Sequence, residues 1–407
     1  MARPSFDVVV VGAGLVGLAT AYRLLEGHPS LSVAVVDKEA SVARHQSSHN
    51  SGVLHSGVYY APGSLKARLC ISGKASVERF AAEHGVRVRR LGKLIVAVDR
   101  SELGRLDALR ERAESNGVPE LSMIGPDELA ELEPHVSGIR ALRVPGTSVV
   151  DFSEIARAYA QEVDSRGGQM VMSREVQGVI ELTDRALVLC DGDDLSASVV
   201  ITCAGLQGDR FGERAAEGDA GVRLVPFRGD YYRLTPDAAH LVRGLVYPVP
   251  DPSLPFLGVH LTRRVDDEVW IGPNAVLALA REGYRRRDLD LRDVLQIVAL
   301  PGFRRLARRW WRTGVAEVWR DLSKRAFLDE ARRFLPDLRA DQLAFGPSGV
   351  RAQALSPDGR LVDDFVILGG PRTVHVRNAP SPAATASLAI GSLVAERALR
   401  LLEVPQP

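Results

Sequence analysis

Cysteine is scarce in this chain: Cys70, Cys190 and Cys203 are the three among 407 residues. They are far apart, odd in number and match no metal-ligand spacing, so neither a disulfide framework nor a cysteine metal site is expected. Charge of one sign is also lacking. Lys plus Arg (52) nearly equals Asp plus Glu (51), leaving a net charge of +1, and nothing in that balance calls for nucleic acid. Long hydrophobic runs are missing as well. The first apolar stretch, Val8 to Val11, is cut short by Gly12, too early for a membrane span or a signal-peptide core. A chain without a secretory signal, working in the cytoplasm with reduced thiols and no bound metal, is therefore expected. Internal repeats and low-complexity tracts are absent too.

What remains is an ordinary globular composition, 45% apolar and 25% charged, over a length that allows two domains or one large interleaved one. Residues 6–11 read as a buried strand, 15–26 as a helix and 32–37 as a second strand, which makes a βαβ unit on a parallel sheet. Between the first strand and the helix lies Gly12-Ala13-Gly14-Leu15-Val16-Gly17. Gly12 permits a tight turn, Gly14 lets the backbone approach a pyrophosphate, and Gly17 lets helix and strand pack closely. The helix N-terminus then offers N–H groups and the positive end of its dipole to phosphate. Asp37 ends the next strand, with Lys38 beside it, and an acid there accepts hydrogen bonds from a ribose diol. It also disfavours a 2′-phosphate and therefore NADP. The motif stands at the start of the chain and has no second copy, which favours FAD over NAD as the cofactor.

Residues 40–66 are rich in Ser, His, Asn and Gly and have no period, which marks a functional loop. Helices are expected at 67–84, 101–116, 153–166 and over most of 285–335. Strands are expected at 86–99, 169–190 and 195–202. Residues 222–275 read as antiparallel strands with turns at Pro226, Pro248–Pro255 and Gly272–Pro273. The end of the chain reads as a loop at 346–360, a strand near 364–368 and a helix from about 382 to 402. Ser381 would cap that helix and Pro382 would be its first residue.

The segment from His45 to Lys66, His-Gln-Ser-Ser-His-Asn-Ser-Gly-Val-Leu-His-Ser-Gly-Val-Tyr-Tyr-Ala-Pro-Gly-Ser-Leu-Lys, resembles the L-2-hydroxyglutarate oxidases and dehydrogenases of the D-amino-acid oxidase group of flavoproteins. Gly258–Arg263, Gly272–Ala275, Gly349–Ala352 and Asn378–Thr385 resemble that family as well. Asp37 departs from it, since a Glu is more usual at that place. The resemblance implies an α/β fold in which a Rossmann-type FAD-binding domain (1–80, 150–210 and 340–407) is interleaved with an antiparallel-sheet substrate domain (81–149 and 211–339). It implies that Ser48, His49, Asn50, Ser51 and Gly52 run along the pyrophosphate and flavin, with Val53 and Leu54 near the ring. Further FAD contacts are implied near Val176, at Ala204 and Gly205, at Gly349 and Val350, and at Ser381, Pro382, Ala383 and Ala384, where a helix start would face the flavin pyrimidine.

Oxidation of a small carboxylic acid by a flavin needs a cation for the carboxylate and a base for the hydroxyl proton. Arg351, in Gly-Val-Arg, resembles the arginine with which related oxidases hold the carboxylate, and a guanidinium binds that group with two hydrogen bonds. His55 and His260 are both candidates for the base, since histidine exchanges a proton near neutrality. A dicarboxylate needs a second cation, for which Arg263 and Lys66 are candidates, and Tyr59 and Tyr60 could close the pocket. The expected reaction is oxidation of L-2-hydroxyglutarate or a close 2-hydroxy acid to the 2-oxo acid, with oxygen or a quinone as electron acceptor. The rivals are an amine or amino-acid oxidase of the same fold, an NAD-linked dehydrogenase and a non-enzymatic nucleotide-binding scaffold. Basic residues and two tryptophans at 304–312 suggest a peripheral membrane contact.

Overall fold

The computed structural model describes residues 4–211, 221–252 and 257–403. Two large sheets organise them. In the first, β1 (Ser5–Val11) is flanked in parallel by β2 (Val33–Val36) and by Leu195–Thr202. Gln169–Val171 and Thr373–Asn378 extend this parallel core on either side. Antiparallel strands Val176–Glu181, Ala186–Cys190 and Val366–Gly369 complete the sheet. Side chains along β1 alternate between two cores, as strand geometry requires. Val8 and Val10 face the helices α1 (Leu15–Gly27), α2 (Leu65–Glu83), Phe152–Ser165 and Ser387–Glu403, while Val9 and Val11 face the opposite layer.

The second sheet has nine strands. Its spine is the long strand Arg223–Leu234, paired antiparallel along its length with Leu343–Leu355. The strands at 245–248, 260–263 and 269–272 follow, and Lys93–Ala97 joins them by a parallel pairing with Leu245–Pro248. A small third sheet, formed by Val53–Leu54, Ser148–Val150 and Val88–Arg90, ties the loop after β2 to the second sheet's segment of the chain.

Two expectations for the C-terminal quarter are corrected. Residues 346–355 are not a loop, because Leu343–Leu355 is a strand of the second sheet, and only 356–360 turn back after it. Gly346, Pro347 and Gly349 disguised it, yet the strand pairs on one side only, where a missing N–H is tolerated. Residues 343–355 therefore belong to the second sheet and not to the one built on β1. The last helix begins at Ser387 rather than 382. Residues 381–386 form successive turns, with Ala383 N donating to Pro380 O and Ala386 N to Pro382 O. Ser381 and Pro382 are therefore turn residues and not a helix cap. The strand Thr373–Asn378 and the short helix Pro126–Leu132 were not anticipated. The turn expected across Pro248–Pro255 falls partly on 253–256, outside the described residues.

Candidate active site

A cavity of about 1030 Å³ runs between the two sheets. At one end stands the glycine turn. Gly12 has φ +110°, and a Cβ there would come within 2.4 Å of the Cys203 carbonyl oxygen. A Cβ on Gly17 would fall 1.9 Å from the Gly12 oxygen, so helix and turn meet at a distance that only glycine allows. Asp37 locks the turn from the neighbouring strand end. Its carboxylate accepts from Ala13 N at 2.7 Å and from Glu39 N at 2.9 Å. Gly12, Gly14, Asp37 and Lys38 line the cavity, while Ala13 and Gly17 lie behind its surface and shape it.

The polar loop forms one wall. Asn50 holds it together, donating to Gln46 O and Ser47 O and accepting from Gly52 N. His49 packs against Tyr284 with ring centroids 4.1 Å apart. His49, Asn50, Ser51 and Val53 reach the cavity, whereas Ser48 and Gly52 do not. Ser48 instead donates to His45 O, and Gly52, at φ +75°, turns the chain. Val176, Ala204, Gly205, Gly349, Val350 and Ser381, Pro382, Ala383 and Ala384 line other walls. Beside the loop, the Lys38 ammonium lies 2.7 Å from Glu39, 2.8 Å from Glu282 and 3.1 Å from His45. Glu39, His45 and Glu282 could group around a metal, but the Lys38 ammonium already bridges the two carboxylates.

At the other end His55, His260, Tyr60, Lys66 and Arg351 come together. His55 is fixed through its backbone: its N–H donates to Thr385 Oγ1 at 3.0 Å, and its carbonyl accepts from Cys70 Sγ. Its Nδ1 has no partner among the described residues. The His260 ring stacks on Tyr247 at 4.1 Å, and its Nδ1 lies 3.0 Å from the Gly258 carbonyl. That contact assigns the proton to Nδ1 and leaves a lone pair on Nε2. Burial holds both imidazoles neutral. It pushes His260 down to about 3, helped by Arg351 and Lys93, and pushes His55 well below its usual value, helped by Lys93, His260, Arg351 and Lys66. Two neutral imidazoles beside an arginine can accept a proton while an anion is held.

Arg263 is the residue the structure removes from this group. Its guanidinium donates to Val242 O, Ala239 O and Asp267, away from the cavity. Lys66 stays at the site, paired with Asp363 at 2.6 Å and lying over the Tyr60 ring. Sequence reading missed Tyr231 and Tyr247, which line the same end, and Lys93, buried behind Tyr59 and Tyr247. The one available signal for Lys93 was a charge heading the apolar run Leu-Ile-Val-Ala.

Comparison with known proteins shows the family. Residues 7–397 match the family described as DAO, FAD dependent oxidoreductase. This chain belongs to that family. The FAD-dependent oxidoreductase is 45% identical to the mitochondrial L-2-hydroxyglutarate dehydrogenase of Nematostella vectensis, over 97% of this chain and 90% of that protein. It is 42% identical to the L-2-hydroxyglutarate dehydrogenase of Escherichia coli K12 (98% and 94% covered) and 43% identical to the mitochondrial human one (98% and 90%). Its fold matches the FAD-bound L-α-glycerophosphate oxidase of Mycoplasma pneumoniae with a TM-score of 0.79 at 22% identity, covering 98% and 95% of the two chains. It also matches glycine oxidase from Geobacillus kaustophilus, with a TM-score of 0.71 at 19% identity, covering 98% and 95%. FAD is its cofactor, and the turn that brings Gly12 and Gly14 to the cavity at the start of α1 fits the pyrophosphate of that group.

Proposed function

We propose that this enzyme oxidises L-2-hydroxyglutarate, or a closely related 2-hydroxy acid, to the 2-oxo acid. One observation carries the reading: two neutral, buried histidines share one end of the cavity with Arg351. The full-length relatives named as L-2-hydroxyglutarate dehydrogenases support the choice of acid. In this reading the layer built on the glycine turn, from residues before 80, 150–210 and after 355, holds the nucleotide, and the nine-stranded layer holds the acid.

Arg351 binds the carboxylate next to the reacting carbon and orients it. The Nε2 lone pair of His260 accepts the hydroxyl proton, and the ring carries the resulting charge against the Tyr247 face. His55, fixed by Thr385 and Cys70, closes the other side of the carbinol. Bound FAD supplies the acceptor for the hydride that leaves the same carbon. Exclusion of water by Tyr59, Tyr60, Tyr231 and Tyr247 strengthens each of these interactions.

Oxygen or a quinone is the proposed electron acceptor. A quinone suits a peripheral contact through the helix Pro301–Leu322. No helix of the described residues is long and apolar enough to cross a membrane. This one exposes Trp311, Val315, Val318, Trp319 and Leu322 within about 100° of its circumference, beside Arg304, Arg305, Arg308, Arg309 and Arg312. The apolar side chains thus lie mostly beyond residues 304–312, where the sequence placed them.

Anaerobic mixing with a panel of 2-hydroxy and 2-amino acids tests the reaction. Bleaching of the flavin absorbance by L-2-hydroxyglutarate is expected. Bleaching by amino acids alone refutes the hydroxy-acid reading in favour of an amino-acid oxidase.

A further inference from the structure

We infer that Lys93 binds the distal carboxylate of a dicarboxylic substrate and sets the preference for such an acid over a monocarboxylic one. The inference rests on the reaction proposed above and names the specificity element of the same site. Lys93 opens the strand Lys93–Ala97, and alternation places its side chain on the face shared by Ile95 and Ala97. It is only 2% exposed. Its ammonium lies 4.3 Å from the Tyr247 ring centroid and 5.1 Å from that of Tyr59; both rings line the cavity, and Lys93 lies directly behind them. No carboxylate among the described residues pairs with it. A buried ammonium set against two rings with no carboxylate beside it is costly to keep charged. Its pKa accordingly falls to about 7 through burial. An incoming carboxylate supplies the missing counter-charge.

The other cations are less suited. Arg263 is turned away, and Lys66 already has Asp363. Arg351 and Lys93 act on the two histidines in opposite order. The strongest charge acting on His55 is that of Lys93, and the strongest on His260 is that of Arg351. Arg351 acts from the cavity wall and Lys93 from behind the Tyr247 ring. A 2-hydroxy dicarboxylate laid across both rings meets Arg351 with one carboxylate and Lys93 with the other, its hydroxyl lying between them.

The pH dependence has a definite sign. Besides the two rings, the groups facing this pocket are Cys70 and Lys66 from α2, His55 from the loop, His260 from 260–263 and Arg351 from the long edge strand. Burial raises Cys70 to about 12, raises both tyrosines and keeps both histidines neutral. Lys93 is then the group that changes charge near pH 7. Dicarboxylate affinity is full below about pH 7. Above it, affinity falls by up to about tenfold per unit until the pKa of the occupied site is reached.

Glutarate and butyrate, which lack the oxidisable hydroxyl, are the probes. Their binding to the holoenzyme is followed by flavin absorbance and calorimetry. The wild type is expected to prefer glutarate, and K93M to lose on the order of 10²-fold of that preference with its FAD content and butyrate affinity unchanged. K93R, permanently charged, should retain the preference and lose its decline above pH 7. An undiminished preference in K93M, or equal losses for both acids, overturns the inference. If K93M does not hold FAD, the K93R profile decides, and a decline above pH 7 identical to that of the wild type overturns it. Should glutarate bind through Lys93 while L-2-hydroxyglutarate fails to bleach the flavin, the proposed reaction fails and the carboxylate site stands.

Discussion

At the level of single residues, the division of labour between two histidines is the sharpest consequence of the geometry. His260 has one ring nitrogen committed to Gly258 O and the other available, so His260→Asn should keep FAD and slow flavin reduction on the order of 10²-fold or more. Arg263→Ala should leave that rate within about twofold, because its guanidinium serves the backbone of residues 239–242. Stopped-flow reduction of both variants checks the pair; a normal rate in the first, or a collapse in the second with FAD retained, contradicts the assignment. The sequence alone left His55 and His260 equal because the carbonyl that fixes a tautomer is a feature of folded backbone. Lys93 was hidden for a related reason. A lysine at a strand start reads as solvated until the opposing Tyr59 and Tyr247, distant in sequence, are seen to enclose it.

Among the elements, those with a strong local period were legible before the structure. β1, α1 and β2 lie within a residue or so of expectation because an apolar run, three glycines and an acid each impose their own geometry. The edge strand Leu343–Leu355 was not legible. Its glycines and proline are turn signals, and its stability comes from pairing with Arg223–Leu234, more than a hundred residues away. The start of the last helix was misplaced because Ser-Pro favours a turn as readily as a cap. The helix Pro301–Leu322 gives the prediction at this scale. The double variant Trp311→Glu, Trp319→Glu should lose sedimentation with anionic vesicles and keep flavin reduction in solution, since neither side chain lines the cavity. Equal sedimentation of variant and wild type would remove the lipid contact.

For the molecule as a whole, the nucleotide-binding layer is drawn from segments spread over nearly the entire chain. β1 needs Leu195–Thr202 beside it, and that strand needs Thr373–Asn378. A chain ending at residue 369 therefore keeps every residue of the glycine motif but lacks a strand of the parallel core and the turns at 381–386. It should purify without FAD, as the ratio of flavin to protein absorbance would show; a stoichiometric flavin content would contradict that.

The same strand order has a consequence during synthesis. β2, one parallel neighbour of β1, follows it closely along the chain, whereas Leu195–Thr202 on the other edge follows nearly two hundred residues later, and Thr373–Asn378, beside that strand, later still. Until Leu195–Thr202 arrives, β1 presents one unsatisfied apolar edge to the crowded cell. The nascent protein must be shielded along that edge until then, and capture of FAD waits for the strand and turns of residues 373–386.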